Sequence, residues 1–229
     1  MKTHAGDEVD AAWARAIEAR LNVEVIGRSV TAFVRTTSTS DVARGLAANG
    51  AADGAVVIAR TQNRGRGRRG RTWLSTPGEG AYLSVALRPE LPAGDVGWLA
   101  ILGGVAVVCA LEKLGLKKLK LKWPNDVLAG GRKIAGVLVE PRLSAEAIEF
   151  AVLGIGVNVA QTAEAWPGDL KEKATSCRTA GLDVSCDDVL VAVLGELDHW
   201  YSVLKSKKFE PLMKAWVQRG GVSRVPDIS

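Results

Sequence analysis

The chain has 229 residues, of which 47% are hydrophobic and 24% are charged. This length and composition fit one large globular domain, or one domain with a small appendage, that can bury a sizeable core. No apolar run approaches the ~20 residues that a membrane-spanning helix requires, and the acidic N-terminus lacks the apolar stretch of a signal peptide. We therefore expect no membrane association. The net charge of +5 is too small to identify a partner by itself.

The cysteines and histidines exclude further classes of protein. Cys109, Cys177 and Cys186 are odd in number and form no CxxC pair, which indicates a reducing, cytoplasmic environment rather than a structural disulfide or a zinc site. His4 and His199 are far apart in the sequence, which disfavours a histidine-based metal site or catalytic triad.

Helices and strands alternate in the first part of the chain. Residues 11–21 have helical composition, with apolar side chains at i, i+4 spacing, and residues 30–35 are predicted as a strand. The sequence Ser-Thr-Ser-Asp at 38–41 supplies capping side chains for a helix over 41–49. The apolar run 55–59 is predicted as a buried strand.

Residues 61–80 are rich in glycine and arginine and have no apolar periodicity. They are predicted to form a long loop, and such loops inside compact domains are usually functional or disordered. A strand over 81–87 follows. The most apolar stretch of the chain, 96–114, is predicted as a buried helix.

The second half of the chain contains hairpins and then helices. A Gly-Gly pair at 130–131 predicts a β-hairpin turn. The predicted elements are a strand over 119–121, the hairpin strands 127–128 and 133–140, a strand over 148–159, a helix over 187–204 capped by Asp187 or Asp188, and a short helix over 209–218. There is no internal repeat and no clear linker. This order predicts an α+β fold, with a mixed β-sheet and helices packed on one face.

The arginine–glycine segment 61–73 is the first candidate for chemistry. Five arginines fall within 64–71, and their guanidinium groups are bidentate donors for phosphate or carboxylate. Glycines allow the backbone to approach a ligand closely, and Trp73 offers a flat face to a ring. A ligand-binding loop is favoured because the segment lies between two predicted buried strands, but an RNA-binding segment is an open alternative.

The segment 122–126, Lys-Trp-Pro-Asn-Asp, is the second candidate. It places an amide and a carboxylate side by side at a strand end. Asp126 is a candidate Mg²⁺ ligand, because Mg²⁺ sites often combine one or two carboxylates with substrate phosphates. Taken alone, however, the pattern favours a type I turn in which Asn125 and Asp126 bond only to the backbone.

Two further segments lie on the predicted strands that follow. Lys133 opens an apolar strand, where an amine can neutralise charge on a phosphoryl group, although a single lysine is by default a solvated surface residue. Gly154 and Gly156 lie within one strand, which suggests close approach of a ligand, while a local bulge or tight sheet packing fits the pattern equally well.

In this order, the four segments resemble the biotin protein ligase family. The match is carried by the arginine–glycine run at 65–71, by Lys-Trp-Pro-Asn-Asp at 122–126 and by Lys-Ile-Ala-Gly-Val-Leu-Val-Glu at 133–140, and it extends over about residues 30–159. Lipoate ligases share the fold but generally lack this trio of motifs. Biotin is therefore favoured, and a lipoate or octanoate ligase and an RNA-binding module are the alternatives.

The resemblance implies a class II synthetase-like fold and two half-reactions. Biotin and ATP would give biotinyl-AMP, with Mg²⁺ as cofactor, and biotin would then pass to a lysine of a biotin carboxyl carrier domain. It also implies a role for each matching residue. The implied catalytic residues are Lys133, Arg66 and Arg68. Biotin would be bound by Ser38, Thr39, Ser40, Gln62, Arg66, Arg68, Lys133, Gly136 and Gly156, ATP by Arg66, Arg69, Trp73, Asn125, Asp126 and Asn158, and Mg²⁺ by Asp126.

The sequence departs from the family pattern in two places. Ser40 stands where the family usually has asparagine after Ser-Thr, so weaker biotin binding is expected. The family usually continues into a small C-terminal barrel. We expect an N-terminal helical extension (1–29), a catalytic domain (30–219) and a tail (220–229) where that barrel would begin. The segment before residue 30 is too short for a winged helix-turn-helix, so no DNA binding is expected. Family members occur as monomers and homodimers, and the sequence does not choose between them.

Overall fold

The structure is a computed structural model that describes residues 7–220. Its regular elements follow the predicted order closely. They are β1 (Glu8–Val9), α1 (Ala11–Glu18), β2 (Val30–Thr36), α2 (Thr39–Ala48), β3 (Ala55–Gln62), β4 (Gly80–Leu87), α3 (Gly97–Lys113), β5 (Leu119–Lys122), β6 (Asp126–Ala129), β7 (Arg132–Leu143), β8 (Ile148–Asn158), α4 (Leu170–Lys173), α5 (Cys186–Lys205) and α6 (Phe209–Gln218).

The strands of residues 7–220 form one eight-stranded sheet in the order β1-β2-β3-β4-β8-β7-β6-β5. Strands β2 and β3 are parallel, and every other neighbouring pair is antiparallel. Helix α2 makes the connection between the two parallel strands, as such connections require. The predicted mixed sheet is confirmed.

One face of the sheet is covered by α1, α3, α5 and α6. Strand residues alternate between the two faces, and Leu153, Ile155 and Val157 of β8 pack into the large core on this side. Helix α3 lies at the centre of that core. With the turn before it, α3 is long and apolar enough to cross a membrane, so the sequence-based estimate of its apolar length was too short. Because 78% of its most apolar window is buried inside the protein, core packing accounts for its composition.

Helix α2 packs on the opposite face of the sheet. Its buried residues Ala43 and Ala47 lie with Phe33, Val57 and Phe150 in a second, smaller core. The prediction that the helices pack on one face is therefore correct for α1, α3, α5 and α6 and wrong for α2. The apolar stripe of a helix shows that one side is buried, but it does not show which face of a sheet receives it.

The N-terminal segment belongs to the same sheet and core. Strand β1 pairs with β2, and α1 packs Trp13 and Ile17 into the large core. Helix α1 ends at Glu18, three residues before the predicted end at residue 21. The amides of Arg20 and Leu21 donate to the carbonyls of Ile17 and Glu18, so the helix closes in a tighter turn. The tail predicted at 220–229 lies, after residue 220, outside the described residues.

The N-terminus of α5 differs from the prediction in its cap. Ser185 is the capping residue, and its Oγ accepts from the amide of Asp188 at 3.0 Å. Asp187 and Asp188, predicted as caps, instead lie in the first turn of the helix. Carboxylates are favourable there because of the helix dipole.

Candidate active site

A cavity of about 680 Å³ opens on the face of the sheet that carries α2. The other large helices lie on the opposite face, so this side of β4, β7 and β8 is available to a ligand. The arginine–glycine loop between β3 and β4, the turn at 122–126 and the segment before α5 surround it. Its volume is that of a small-molecule site.

Nearly all of the predicted site residues meet on this cavity. Ser38 does not line it: the residue is buried and precedes the first turn of α2. The predicted residues that line the cavity are Thr39, Ser40, Gln62, Arg66, Arg68, Arg69, Trp73, Asn125, Asp126, Lys133, Gly136, Gly156 and Asn158.

A chain of polar side chains forms one end of the cavity. Gln62 Oε1 accepts from the backbone amide of Thr39 at 2.9 Å and from its hydroxyl at 3.1 Å. The Thr39 hydroxyl lies 2.8 Å from that of Ser84, which lies 3.1 Å from that of Ser40. All three hydroxyl-bearing residues are buried, so each hydroxyl depends on its neighbours for hydrogen bonds.

The direction of these bonds follows from the number of hydrogens. Each hydroxyl has one hydrogen. Because Thr39 donates to Gln62, Ser84 must donate to Thr39, and Ser40 must donate to Ser84. Ser40 Oγ is then left as an acceptor, and Gln62 Nε2 has no protein acceptor within residues 7–220. This end of the cavity therefore offers a ligand one donor group, the NH2 of Gln62, and one acceptor, the Oγ of Ser40.

A charged pair lies towards the other end. Lys133 Nζ is 2.6 Å from Asp126 Oδ1, and both side chains are about one-third exposed, at 33% and 27%. The ammonium also lies 5.5 Å from the centre of the Trp73 ring, within the range of a cation–π contact. Lys133 is thus held in place by two partners while it faces the cavity.

Two glycines make room for the Trp73 indole. A Cβ at Gly136 would lie 2.9 Å from the ring, and a Cβ at Gly156 would lie 2.5 Å from it. Both distances are shorter than any ordinary contact, so the indole packs directly against the backbone of β7 and β8. The indole Nε1 of Trp73 has no hydrogen-bond partner within the described residues.

The loop arginines fall into two groups. The Arg66 guanidinium pairs with Asp41 of α2 and, at 2.9 Å, with Glu140 of β7. Burial by itself would lower the pKa of Arg66, but hydrogen bonds to the two carboxylates raise it overall. Within residues 7–220, no other arginine of the 64–71 run makes an ion pair. Arg68, Arg69 and Arg71 line the cavity with unpaired charge.

The side-chain amides of the two predicted asparagines, Asn125 and Asn158, donate hydrogen bonds to backbone carbonyls. Asn125 Nδ2 donates to the Val137 carbonyl at 2.9 Å, so its amide holds the turn against β7, as the turn alternative expects. Asn158 Nδ2 donates to the Thr175 carbonyl at 3.0 Å. These bonds fix the positions of the turn and of the segment before α5.

Sequence reasoning missed one wall of the cavity and one polar group. The missed wall is formed by residues 163–174 and includes Trp166 and Leu170. Directly after it, the Thr175 amide donates a hydrogen bond to the Lys133 carbonyl of β7. A long irregular stretch after a strand was the available signal. Ser84 was also missed, although a serine inside an otherwise apolar strand indicates a hydrogen-bonding role.

The residues present fit a metal ion that arrives with a nucleotide. No group of three or more histidine, cysteine or acidic residues that could hold a metal occurs in the described part of the chain. Asp126 provides one carboxylate, already paired with Lys133. A single carboxylate suits Mg²⁺ that is bound mainly by substrate phosphates.

The fold and the site place the chain in a known class of proteins. Residues 30–158 match the model of the Biotin/lipoate A/B protein ligase family. The chain belongs to this family.

Individual relatives within the family are biotin ligases. The chain is 34% identical over 197 residues to the bifunctional ligase/repressor BirA of Bacillus subtilis, covering 86% of this chain and 61% of that protein. It is 36% identical to the biotin–[acetyl-CoA-carboxylase] ligase of Paracoccus denitrificans, with coverage of 82% and 79%. The structure of the biotin protein ligase from Aquifex aeolicus in complex with biotin and ATP has a TM-score of 0.72 and 31% identity, covering 84% of this chain and 78% of that one.

Proposed function

We propose that this chain is the catalytic core of a biotin protein ligase. It would activate biotin as biotinyl-AMP and pass the biotin to a lysine of a biotin carboxyl carrier domain. The observation that carries the proposal is the polarity of the cavity, which has a hydroxyl–amide chain at one end and Lys133 with the unpaired arginines towards the other. The Aquifex aeolicus relative binds biotin and ATP in the same fold.

The polar end suits the head group of biotin. Gln62 supplies a donor and Ser40 an acceptor, and a cyclic urea has one carbonyl acceptor and two N–H donors to meet them. A purely hydrocarbon chain or a dithiolane ring would leave the half-buried Gln62 amide and the buried Ser40 hydroxyl without these hydrogen bonds, and the buried group alone would cost about 1–3 kcal/mol. This complementarity favours biotin over lipoate or octanoate.

The charged end suits the first half-reaction. A biotin carboxylate oxygen forms a bond to the α-phosphorus of ATP, the bond from that phosphorus to the bridging oxygen breaks, and pyrophosphate leaves. The nucleophile is already an anion, so the step needs no base. It needs screening of two negative groups, which Lys133 and the unpaired Arg68 and Arg69 supply. When bound with the nucleotide, Mg²⁺ would further neutralise the phosphates, and Asp126 would hold it.

The second half-reaction transfers biotin to protein. The acceptor amine attacks the carbonyl of the mixed anhydride and AMP leaves. Trp73 and the loop around it would shield the anhydride from water until the acceptor arrives, since exclusion of water prevents hydrolysis of a reactive intermediate. We propose the cytoplasm as the location and a monomer or a homodimer as the assembly.

Adenylate formation tests the proposal directly. Purified protein would be incubated with MgATP and either biotin or lipoate, and the acyl-AMP would be measured by mass spectrometry. Biotinyl-AMP should form and lipoyl-AMP should not. Addition of a purified carboxyl carrier domain should then release AMP and add one biotin to the acceptor.

Two results would count against the proposal. Formation of lipoyl-AMP in preference to biotinyl-AMP would assign the chain to the lipoate branch of the family. The absence of any adenylate, together with no binding of biotin by calorimetry, would remove the biotin assignment.

A further inference from the structure

A carboxylate at the N-terminal edge of the sheet holds the end of strand β2. Asp7 directly precedes β1, and because β1 runs antiparallel to β2, Asp7 lies where β2 ends. Its Oδ1 accepts from the Thr36 hydroxyl at 2.7 Å and from the Thr37 backbone amide at 3.3 Å. The register of the two strands ends with Glu8 opposite Arg35. The Asp7 side chain thus extends the attachment of β2 past the last paired residue.

The two threonines that Asp7 holds lead directly into the polar end of the cavity. Thr36 is the register partner of Gln62 in the parallel pair β2–β3. Two residues after Thr37, the amide and the hydroxyl of Thr39 donate to Gln62 Oε1 at 2.9 and 3.1 Å. These two bonds orient the Gln62 carboxamide, and its Nε2 is the donor that this end offers to a ligand. A short path therefore joins Asp7 to a ligand-binding group.

The threonine segment is held from both sides. On the β3 side, the carbonyls of Thr36 and Thr37 accept from the amides of Asn63 and Arg64 at 3.0 and 2.8 Å. On the β1 side, the attachment is the Asp7 carboxylate. Thr36 is fully buried, so its hydroxyl depends on a protein acceptor for its hydrogen bond. Loss of the carboxylate would leave a buried donor unpaired, which favours a shift of the whole segment towards water.

We propose that Asp7 is a positioning residue for the polar end of the cavity. Its carboxylate fixes Thr36 and Thr37 against β3, and this placement sets the Thr39 amide and the Gln62 carboxamide for the head group of biotin. The start of the chain is then part of the ligand-binding unit rather than an appendage to it. This inference rests on the proposed function, because biotin is the ligand whose binding reports the placement.

The first experiment measures two constants for variants of the full chain: the dissociation constant for biotin by calorimetry, and the KM for ATP in adenylate formation at saturating biotin. Asp7→Ala should raise the biotin constant about fivefold, the order expected for the loss of one net hydrogen bond. The KM for ATP should not change, because the nucleotide would bind towards the charged end. Asp7→Asn keeps an acceptor oxygen and should bind biotin like the unmodified protein. A general loss of folded protein would instead lower the binding stoichiometry.

Asp10→Ala is the matched control. Asp10 lies in the same N-terminal segment, accepts from the Trp13 amide at 2.9 Å as the cap of α1, and is 4.0 Å from Arg60. Among the described residues it has no hydrogen bond to the 36–40 segment. Its loss should lower the melting temperature and leave the dissociation constant for biotin unchanged.

Thr36 allows a second comparison that leaves the N-terminal segment untouched. Thr36→Val removes the hydroxyl that donates to Asp7 and should weaken biotin binding in the same direction as Asp7→Ala. Thr36→Ser keeps the hydroxyl and should bind biotin more tightly than Thr36→Val does. This pair keeps the proposal open to a decision if Asp7→Ala disturbs the pairing of β1.

The outcomes separate the inference from the proposed function. If the unmodified protein binds biotin and Asp7→Ala binds it equally well, or no worse than Asp10→Ala, the positioning role is wrong and the proposed function stands. Equal affinities for Thr36→Val and Thr36→Ser would also overturn the positioning role. If the unmodified protein neither binds biotin nor forms adenylate, the proposed function fails, and the positioning role fails with it.

Discussion

The indole of Trp73 occupies the space into which a side chain at Gly156 would project, since a Cβ at that position would lie 2.5 Å from the ring. The contact joins the loop between β3 and β4 to β8 at the centre of the sheet. A loop residue and a strand residue thus define one wall of the cavity together.

Gly156→Ala should displace Trp73 and impair adenylate formation at least about tenfold, since small displacements of a positioning group have large effects on rate. Stability should change by less than about 1 kcal/mol, because the clashing atom belongs to a loop side chain that can move. The shift should be visible in tryptophan fluorescence. Gly195→Ala, in α5 with open space around its Cβ, is the control and should leave both signals unchanged. Normal activity in Gly156→Ala would show that the indole position is not needed.

Ser84→Ala removes the hydroxyl that joins Thr39 to Ser40. The dissociation constant for biotin, measured by calorimetry, should rise about three- to tenfold, because a neutral hydrogen bond contributes about 0.5–1.5 kcal/mol. Ser144→Ala, which alters an exposed serine whose hydroxyl bonds to the backbone of Ala147, is the comparison. An unchanged dissociation constant would mean that the head group binds elsewhere in the cavity.

Lys133→Ala should slow adenylate formation about 10²–10³-fold, the effect expected when one preorganised group that stabilises developing charge is removed. The melting temperature should stay close to that of the unmodified protein, because Lys133 is partly exposed and, among residues 7–220, Asp126 is its one ionic partner. Lys120→Ala, on the exposed side of β5, should be active. Equal turnover by both variants would remove Lys133 from the reaction.

Asp198→Ala addresses stability rather than activity. The Asp198 carboxylate accepts the backbone amides of Glu24, Val25 and Ile26 at 2.8, 2.9 and 2.8 Å. It thereby fastens the N-terminal segment to α5. Its loss leaves two part-buried amides, those of Val25 and Ile26, without this partner and should lower the free energy of unfolding by about 2–3 kcal/mol.

Urea denaturation of Asp198→Ala would be compared with that of Asp169→Ala, whose pair with Lys173 is exposed and should contribute little to stability. Adenylate formation by the folded fraction of Asp198→Ala should be normal. Equal stabilities for the two variants would show that the three amide bonds do not support the fold.

Elements with strong local signals were predictable from the sequence. Helix α6 and strand β4 agree with their predicted bounds to within a residue, because periodicity and flanking turn residues mark both ends. The motif residues from 62 to 158 do meet on one cavity. Their spacing along alternating strands made that convergence predictable once the resemblance supplied the family.

What the sequence could not supply were relations between distant residues. The placement of α2 opposite the other helices depends on how Ala43 and Ala47 fit against Phe150 across the sheet. The pairing of Arg66 with Glu140 spans 74 positions, and no local pattern distinguishes Arg66 from the four neighbouring arginines. Ser38 lies next to two cavity residues in sequence, but it does not line the cavity.

The alternation along β8 has a consequence for the kinds of genetic change that the protein tolerates. Leu153, Ile155 and Val157 face the large core, while Gly154, Gly156 and Asn158 face the cavity. Insertion or deletion of one residue near the start of this strand would exchange the two sets. Glycines would leave voids beneath α3, and branched side chains would fill the space of Trp73. Frame-preserving indels in β8 should therefore be far rarer among functional variants than point substitutions at the same positions.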